Sequence, residues 1–433
     1  MKIPIALLCL LLSTSLPVKG QLSRIEKKIT QSVDSHNDEA LQLLEQVVNI
    51  NSGSMNFEGV KKVGDVFRAE FDALGMETSW VDGSDFNRSG HLIAEQKGNG
   101  PTLLLIGHLD TVFEPTSPFQ VFKMLDGNIA SGPGVDDMKG GDVVILQALT
   151  ALKDAGVLKD MNIIVVMTGD EELSGRPLDL ARKDLIEAAK KADIALGFEN
   201  GDGKPSTANI SRRSSSGWEL KVTGVPAHSS QIFREDIGAG AIYEMSRILY
   251  GFYENLAGEE LLTFNPGMAI AGTSVDHDKA MDGGSAYGKS NVVAEFATST
   301  GDIRCISPEQ LEKTQAAMKK IASQNLPQTK AELTFGIGYP PLAPTEGNKK
   351  LLGYYSAVSE ELGFGKVVAV DPLKAGAADI SFTAPYVEMA IDGLGLGGKN
   401  DHTVNETADL STLPSQTKRA AILMYRLSVG KYK

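Results

Sequence analysis

The sequence predicts an α/β fold, with a mixed, mostly parallel β-sheet flanked by helices and a smaller α+β domain inserted into it. Two continuous apolar runs, LLLI at 103–106 and NIIVVMT at 162–168, are typical of strands buried on both faces of a parallel sheet. Helical patterns alternate with these runs, which favours helices on both sides of the sheet. From residue 212 to about 340 the pattern changes to period-two strands, which indicates a separate unit.

The segment before the first buried run predicts helices and then antiparallel strands. Apolar residues between 41 and 48 recur at helical spacing, and NSGSMN ends that pattern. A second amphipathic helix is predicted at 57–74, with Gly75 as its C-cap. METSWVD and HLIAEQKG then predict two antiparallel strands that lead into the central strand. Further helices are expected at 143–155 and 178–192, followed by a strand at 193–200.

The sequence of the inserted unit predicts two helices and an antiparallel sheet. Strands are expected from residue 218 and at 268–273, 291–304 and 331–341, with helices near 238–253 and 308–324. The α/β pattern then resumes and ends in a helix at 413–427. The main domain is therefore predicted to consist of residues 21–211 and 341–433, with a lid at 212–340. Hinges at the two crossing points would let the lid close over the sheet.

Composition and charge exclude several classes of protein. A hydrophobic content of 42% in 433 residues excludes a disordered chain, and the net charge of −13 disfavours nucleic acid or an anionic membrane as a partner. Residues 1–20 combine Lys2, a short apolar run and a small residue at Gly20, as an export signal does. We therefore expect a periplasmic or secreted protein with no membrane association after cleavage. Only Cys305 remains beyond that signal, so no internal disulfide is expected.

Two stretches bring an imidazole and carboxylates to one edge of the predicted sheet. His108 and Asp110 follow the run at 103–106, at the end of a strand where α/β sheets bind ligands. Asp136 and Asp137 lie in the glycine-rich loop SGPGVDDMKGG, directly before a helix. A carboxylate such as Asp110 can orient a metal-bound imidazole, and either loop aspartate can bridge two metals. Spacing alone does not choose between Asp136 and Asp137.

Adjacent glutamates follow the second buried strand. Glu171 and Glu172 in GDEE would repel each other unless one bound a cation and the other took a proton. A metal lowers the pKa of bound water, and a free carboxylate beside it can act as general base. The alternative interpretation is a solvated helix N-terminus, where acidic residues are common.

Two later residues complete a set of ligands of mixed nitrogen and oxygen character. Glu199 ends the next predicted strand, and His402 follows the glycine-rich LGLGG turn. With His108, Asp137 and Glu172 they make five ligands, which suits two zinc-like ions sharing one carboxylate. The remaining histidines outside the insert's VPAHS segment, His36, His91 and His277, are interpreted as surface or packing residues.

The ordered motifs GHLDT, GPGVDDMKGG, TGDEE, FEN and DHT resemble those of a di-zinc exopeptidase family. That family includes glutamate carboxypeptidase, aminoacylase, succinyl-diaminopimelate desuccinylase, acetylornithine deacetylase and peptidase T. The resemblance implies a zinc exopeptidase-like fold and two zinc sites that share Asp137, since the bridging aspartate of the family directly precedes MK or DK. It also implies a non-proline cis peptide after Asp137. The implied ligands are His108, Asp137 and Glu199 for one zinc, and Asp137, Glu172 and His402 for the other.

The same resemblance assigns the other functional residues. Glu171 would be the general base, and Asp110 would orient His108. The insert resembles the family's dimerisation lid, in which His228 would reach a neighbouring active site. Asn291 and Arg304 would bind the substrate carboxylate or carbonyl oxygen. A homodimer through the lid is therefore expected.

Three segments depart from the family pattern. Ala294 stands where a proline is expected after the lid asparagine, and GAADI at 376–380 replaces the usual GGTDA. The segment GIGYPPLAP lacks the arginine that glutamate carboxypeptidases carry, so glutamate specificity is not implied.

These observations predict a zinc-dependent amide hydrolase that acts through a metal-bridged water and a glutamate base. Glu199, where aminopeptidase-like branches commonly have Asp, favours a carboxypeptidase acting on small peptides or N-acyl amino acids. The alternatives are an N-acyl amino acid deacylase, an aminopeptidase or dipeptidase, and a non-catalytic metal-dependent binding protein. Co²⁺ or Mn²⁺ could replace zinc.

Overall fold

The computed structural model describes residues 22–279 and 283–430, so the predicted export signal lies outside the described residues. Within these ranges no helix is long and apolar enough to span a membrane. The α-helices are α1 Arg24–Ser35, α2 Asn37–Val48, α3 Phe57–Leu74, α4 Lys139–Asp154, α5 Leu178–Ala181, α6 Lys183–Ala189, α7 Gly240–Leu256, α8 Pro308–Ala322, α9 Glu346–Glu361 and α10 Thr412–Ser428.

The strands form a central sheet, a second large sheet and smaller ribbons. They are β1 Glu77–Asp82, β2 Gly90–Gln96, β3 Asn99–His108, β4 Lys123–Met124, β5 Ile129–Ser131, β6 Met161–Thr168, β7 Ile194–Gly197, β8 Thr207–Ala208, β9 Ser216–Thr223, β10 Thr263–Gly272, β11 Ser274–Asp278, β12 Gly283–Tyr287, β13 Phe296–Arg304, β14 Lys330–Phe335, β15 Val368–Ala369, β16 Met389–Ile391, β17 Gly397–Lys399 and β18 Thr407–Asp409.

The central sheet has the order β1-β2-β6-β3-β7-β16. Strands β6, β3, β7 and β16 are mutually parallel, whereas β1 and β2 are paired antiparallel at one edge. The prediction of a mixed, mostly parallel sheet is confirmed. Since β3 lies between β6 and β7, the residues that follow all three strands meet at one edge of the sheet.

Both faces of this sheet are covered, which explains the continuous apolar runs. Leu103 and Leu105 of β3 belong to the larger core cluster, which includes residues of α1 to α4 and α10. Leu104 and Ile106 point the other way, into a smaller cluster with residues of α5 and α6. All four are at most 4% exposed, and full burial of such a side chain contributes about 1.5–3 kcal/mol.

The second large sheet, with order β10-β13-β9-β14, is antiparallel throughout. Its buried side chains pack with those of α7 and α8 in a third core cluster, separate from the other two. The hairpin β11–β12 extends from the same unit. We call the sheet, its two helices and this hairpin the lid. Isolated bridges from Arg212 to Leu342 and from Ser215 to Tyr339 join the two chain segments that enter and leave it.

Several expected elements differ in extent from those observed. The single helix expected at 178–192 is two short helices, α5 and α6, separated at Arg182. The side chain of Arg182 is fully buried and bonds to carboxylates of other segments, which accounts for the interruption. The strands expected at 291–304 and 331–341 are shorter, since β13 begins at Phe296 and β14 ends at Phe335.

Candidate metal centre

The end of β3 directs one nitrogen of His108 into a group of carboxylates. Its Nδ1–H donates to the backbone carbonyl oxygen of Asp110 at 3.0 Å, so Nε2 is left free to bind a cation. Nε2 lies 3.3 Å from Asp137 Oδ1 and 3.6 Å from Glu199 Oε1. Since the ring is buried, its tautomer and orientation are set by the protein.

A small antiparallel sheet, β17-β18-β5-β4, brings the other half of the site together. Pairing of β18 with β5 places the loop before β18, which carries His402, beside the loop after β5, which carries Asp137. His402 Nε2 lies 3.0 Å from Asp137 Oδ2 and 3.1 Å from Glu172 Oε2. The second group therefore depends on pairing between segments about 270 residues apart.

Asp137 belongs to both groups. The ligand atoms of His108, Asp137 and Glu199 lie within 4.8 Å of one another, and so do those of Asp137, Glu172 and His402. Because Asp137 offers Oδ1 to one group and Oδ2 to the other, its carboxylate has the geometry of a bridge between two metal ions. The expected cis peptide between Asp137 and Met138 is present.

Asp136, the other candidate for the bridge, belongs to neither ligand group. Its carboxylate is buried, and its Oδ2 accepts a hydrogen bond from Asn200 Nδ2 at 3.3 Å. The geometry of the candidate ligand groups therefore favours Asp137 over Asp136.

Carboxylates outnumber positive charges at this site, and their pKa values reflect the excess. Burial, and then the charge of Asp137, raise the pKa of Glu172 to about 7 and that of Glu199 well above its usual range. Hydrogen bonds to Asp137 and Glu172 raise the pKa of His402 to about 11. Glu172 Oε1 is buried without a hydrogen-bond partner in the described part of the chain. Buried groups of this composition fit divalent cations, which would supply the missing positive charge.

Asp110 fixes the turn that carries the two adjacent glutamates. Its Oδ1 accepts from the backbone N–H of Glu171 at 3.0 Å, and its Oδ2 accepts from that of Glu172 at 3.1 Å. Ser54 Oγ donates to the same carboxylate at 2.5 Å. The Asp110 carboxylate is 3.5 Å from His108 Nδ1, so its backbone carbonyl makes the shorter contact with the ring. Asp110 therefore positions GDEE as well as His108.

Glu406 supports the candidate metal site, although the sequence does not predict this contribution. Its carboxylate is fully buried and accepts hydrogen bonds from the backbone N–H groups of Gly134, Asp136 and Asp137 at 3.2, 2.9 and 3.1 Å. Three such bonds hold the loop that carries the shared aspartate. Its position four residues after His402 is the signal that could have indicated this contact.

Two buried arginines for which the sequence likewise gives no signal connect the site to the segments that enter and leave the lid. Arg212 Nε donates to Asp392 Oδ2 at 2.6 Å, and Asp392 Oδ1 accepts from the backbone N–H of Glu199 at 3.3 Å. Arg182 donates to Asp170 Oδ1 at 2.6 Å and to Asp379 Oδ1 at 2.7 Å. Both arginines therefore neutralise carboxylates directly behind the ligand groups.

Removing the Arg182 charge is expected to destabilise the fold. Arg182→Leu would leave Asp170 and Asp379 buried without their cation, and breaking a buried pair in this way costs about 3–5 kcal/mol. Denaturant unfolding measures the change. Lys349→Leu is the matched control because its ion pair with Glu346 is on the surface, and a change within about 0.5 kcal/mol is expected there. An equal loss for both variants would contradict this account.

The three candidate lid residues lie away from the ligand groups. His228 is exposed, and its Nδ1 lies 2.8 Å from Ser230 Oγ. It lies next to Asn291, whose carbonyl oxygen accepts from Ser229 N–H. Arg304, at the end of β13, donates to Asp302 at 2.9 Å. Within the described ranges none of the three makes a hydrogen bond or ion pair with a metal-ligand candidate.

The fold and the two overlapping ligand groups define an α/β protein with a candidate dinuclear metal centre and an additional glutamate, Glu171, near it. The chain belongs to peptidase family M20/M25/M40, whose sequence model matches residues 104–426. It is therefore a metallopeptidase or amidohydrolase of that family, and the resemblance inferred from the motifs is confirmed.

The chain is similar to one relative along most of its length and to another along about half of it. Carboxypeptidase G2 from Pseudomonas sp. (strain RS-16) is 28% identical over 409 residues, which cover 93% of this chain and 92% of the relative. Aminoacylase-1 from Mus musculus is 31% identical over 219 residues, 48% of this chain and 51% of the relative.

Solved structures show the same fold. Aminopeptidase PepT from Bacillus cereus has a TM-score of 0.72 at 18% identity, with 90% of this chain and 98% of that chain covered. The YXEP protein of Bacillus subtilis, a dinuclear metal-binding peptidase, has a TM-score of 0.62 at 17% identity, covering 92% and 99%. The predicted zinc exopeptidase-like architecture is confirmed.

Proposed function

We propose that this protein is a di-zinc carboxypeptidase that removes the C-terminal amino acid from small peptides or from N-acyl amino acids. The observation that carries the proposal is the shared Asp137 carboxylate, with one oxygen in each ligand group and Glu171 close by. Similarity to carboxypeptidase G2 over 93% of the chain supports the carboxypeptidase assignment. A non-catalytic binding protein would need no Glu171.

In this proposal each ligand group holds one zinc ion. His108, Asp137 and Glu199 would hold the first, and Asp137, Glu172 and His402 would hold the second. The nitrogen and oxygen donors suit zinc, and they also accept Co²⁺ or Mn²⁺. Bound divalent ions supply Lewis-acid activation of a water molecule and of the scissile carbonyl group.

Glu171 is proposed to transfer the proton. Its backbone N–H is fixed by Asp110, so the carboxylate is presented from a rigid turn. Burial, and next the charge of Glu199, raise the pKa of Glu171, as suits a general base that must also return its proton. Glu171 accepts a proton from the attacking water and then donates it to the leaving nitrogen.

The lid is proposed to complete the site in a homodimer. His228 is exposed, and its Nδ1 contacts Ser230, so Nε2 is available to the carbonyl oxygen of a substrate in a neighbouring subunit. Asn291, beside it, and Arg304 would bind the carboxylate or carbonyl oxygen of the substrate. Sedimentation tests this part of the proposal, because a monomer at assay concentration that turns over substrate would exclude it.

Export to the periplasm or medium is part of the proposal and depends on the signal-like pattern of residues 1–20. Fractionation of cells that express the full chain, with detection of the mature N-terminus by mass spectrometry, tests it. Full-length protein retained in the cytosol would contradict it.

The proposed reaction is tested by product analysis. Purified zinc-loaded protein is incubated with a mixed panel of dipeptides, N-acyl amino acids and N-blocked peptides, and the products are identified by mass. Release of the C-terminal amino acid from N-blocked substrates supports the proposal. A strict requirement for a free amino terminus would instead identify an aminopeptidase or dipeptidase, and hydrolysis limited to simple N-acyl amino acids would identify a deacylase.

Metal removal is expected to abolish activity reversibly. Chelation leaves several carboxylates crowded without a counter-charge, so the metal-free protein should also unfold at a lower temperature than the zinc-loaded form. Activity and melting temperature are measured before chelation, after chelation and after zinc is restored. Full activity in protein shown to contain no metal would contradict the prediction.

A further inference from the structure

A cavity of about 970 Å³ lies against the lid, and the proposed reaction does not account for it. It is lined by residues of β9, β10 and β13 and of the end of β14, by the hairpin residues His277 and Lys279, and by Arg176 from the main domain. Its volume is that of a site for a small organic ligand. The following inference rests on the proposed function, because it concerns the substrate of the same enzyme.

Three glycines with room for a Cβ line this cavity, and we call them the glycine floor; one of them, Gly267, lies at a bulge of β10, which is itself a reason for glycine there. A Cβ added at Gly217 would meet nothing closer than 3.8 Å, and at Gly267 or Gly336 nothing closer than 3.7 Å. None of the three has a positive φ. Glycine weakens a strand relative to alanine, so its use at open positions calls for another reason, such as close approach of a ligand to the backbone.

Gly301 shows the opposite case on the same sheet. A Cβ there would lie 1.9 Å from the carbonyl oxygen of Asn265 and 2.5 Å from the Trp218 ring. Packing inside the lid therefore requires this glycine, whereas it places no such demand on Gly217 or Gly336.

A buried histidine faces the cavity with unused hydrogen-bonding capacity. The side chain of His277 is only 8% exposed, and neither ring nitrogen has a hydrogen-bond partner in the part of the chain that the structure describes. Its Nδ1 lies 3.3 Å from Glu219 Oε1, without hydrogen-bonding geometry. Since Nδ1 is within ion-pair distance of Glu219, Nε2 is the buried ring nitrogen left without a partner among the described residues, and this nitrogen is suited to a ligand in the cavity.

Arg176, an exposed side chain, contributes a positive charge to the lining of the cavity. Its Nη1 donates to the Ile337 carbonyl oxygen at 2.8 Å, and among the described residues it forms no ion pair. Three other charged residues line the cavity, and each is paired: Lys279 and Glu219 with each other, and Asp302 with Arg304. A guanidinium with no ion-pair partner among the described residues favours an anionic ligand, and guanidinium binds carboxylates well.

The cavity is close to the proposed catalytic base. Arg176 follows Glu171 by five residues, a stretch that spans at most about 17 Å when fully extended. On the other side, Tyr339, three residues after Gly336, donates its hydroxyl hydrogen to the Glu171 carbonyl oxygen at 3.2 Å. A peptide held at the metal centre could therefore extend into the cavity within a few residues.

We propose that this cavity binds a carboxylate-bearing residue of the substrate on the acyl side of the scissile bond. Arg176 pairs with the carboxylate, His277 donates a hydrogen bond, and the glycine floor lets the peptide lie against the strands. The lid hairpin thereby makes the enzyme selective for acidic peptides.

The test compares three substrates that release the same C-terminal amino acid, chosen from the product panel. One is its N-acetyl derivative, which has no amino-acid residue on the acyl side of the scissile bond, and the others carry N-acetyl-Glu-Gly or N-acetyl-Gln-Gly before it. We expect kcat/KM for the Glu substrate to exceed that for the Gln substrate by about tenfold or more. Arg176→Gln should remove this preference, with its effect mainly on KM for the Glu substrate.

Glycine variants test the floor independently of charge. Gly217→Ala and Gly336→Ala should lower kcat/KM for the extended substrates relative to the acetyl substrate, while thermal stability stays equal or rises. Gly353→Ala on α9, which also has open space around its Cβ, is the matched control and should leave the substrate ratios unchanged. A KM increase confined to the extended substrates, in a protein that is no less stable, would point to the cavity rather than to a general loss of structure.

The outcomes separate this inference from the proposed function. Turnover of all substrates with no Glu preference and no effect of the glycine variants overturns the pocket and leaves the carboxypeptidase assignment intact. If no substrate is cleaved, calorimetric titration of the zinc-loaded protein with the Glu and Gln peptides still tests the pocket. Equal or absent binding of the two peptides overturns it.

Discussion

Replacing Glu171 with Gln is expected to lower kcat by about 10²- to 10⁴-fold, the usual contribution of a general base. Glutamine keeps the size of the side chain but cannot accept the proton from water or return it to the leaving nitrogen. Because Glu171 belongs to neither ligand group, the variant should still bind two metal ions. Steady-state kinetics and elemental analysis of the same preparation measure the two effects.

Glu70→Gln is the control for this experiment. Glu70 is exposed on α3, and its replacement should change neither kcat nor the metal content. Near-normal turnover by the Glu171 variant would refute the role of that residue. Loss of activity together with loss of metal would show that Glu171 acts as a ligand.

Asp137→Asn is expected to disrupt both metal sites together. An amide has one carbonyl oxygen and no charge, so it cannot supply one anionic oxygen to each ligand group as Asp137 does. Replacing a residue that only hydrogen-bonds to a metal ligand lowers metal affinity or activity by about 10- to 100-fold. Replacing a ligand that two metal ions share should lower them further. Metal titration should show weakened binding at both sites, with a corresponding loss of turnover.

The neighbouring aspartate provides a close control. Asp136→Asn makes the same chemical change one residue earlier, at a side chain that belongs to neither ligand group. It should retain both metal ions and most of the activity. If the two variants behaved alike, or if only the Asp136 variant lost metal, the assignment of the bridge would be wrong.

Much of the fold and the residues of the ligand groups could be predicted because each leaves a local pattern. The apolar run ending at His108 reflects a strand buried on both faces, and the other candidates lie at strand ends or in short motifs. Two adjacent candidates, Asp136 and Asp137, were indistinguishable by spacing. Only the family motif, and then the position of His402 across the small sheet, separates them.

The groups that support the site could not be predicted, because their partners are distant in sequence. Arg182 lies in an otherwise helical pattern, and nothing local indicates its contact with Asp379, 197 residues later. Glu406 bonds to backbone groups about 270 residues earlier, which carry no side-chain signal. The inward turn of Arg182 also explains why one expected helix is two.

The lid shows a different limit of prediction from sequence. Its helices and antiparallel sheet follow from periodicity, but the meaning of a glycine depends on what its missing Cβ would meet. Gly217 and Gly301 look alike in sequence, yet one faces open space and the other a tryptophan ring. His277 was interpreted as a surface or packing residue because the sequence does not show that it faces a cavity.

The shared carboxylate is tested most directly by anomalous diffraction at the zinc absorption edge from crystals of the zinc-loaded protein. The account predicts two peaks, one among His108, Asp137 and Glu199 and one among Asp137, Glu172 and His402, with the Asp137 carboxylate between them. A single fully occupied peak, or two peaks without Asp137 as a common ligand, would contradict it.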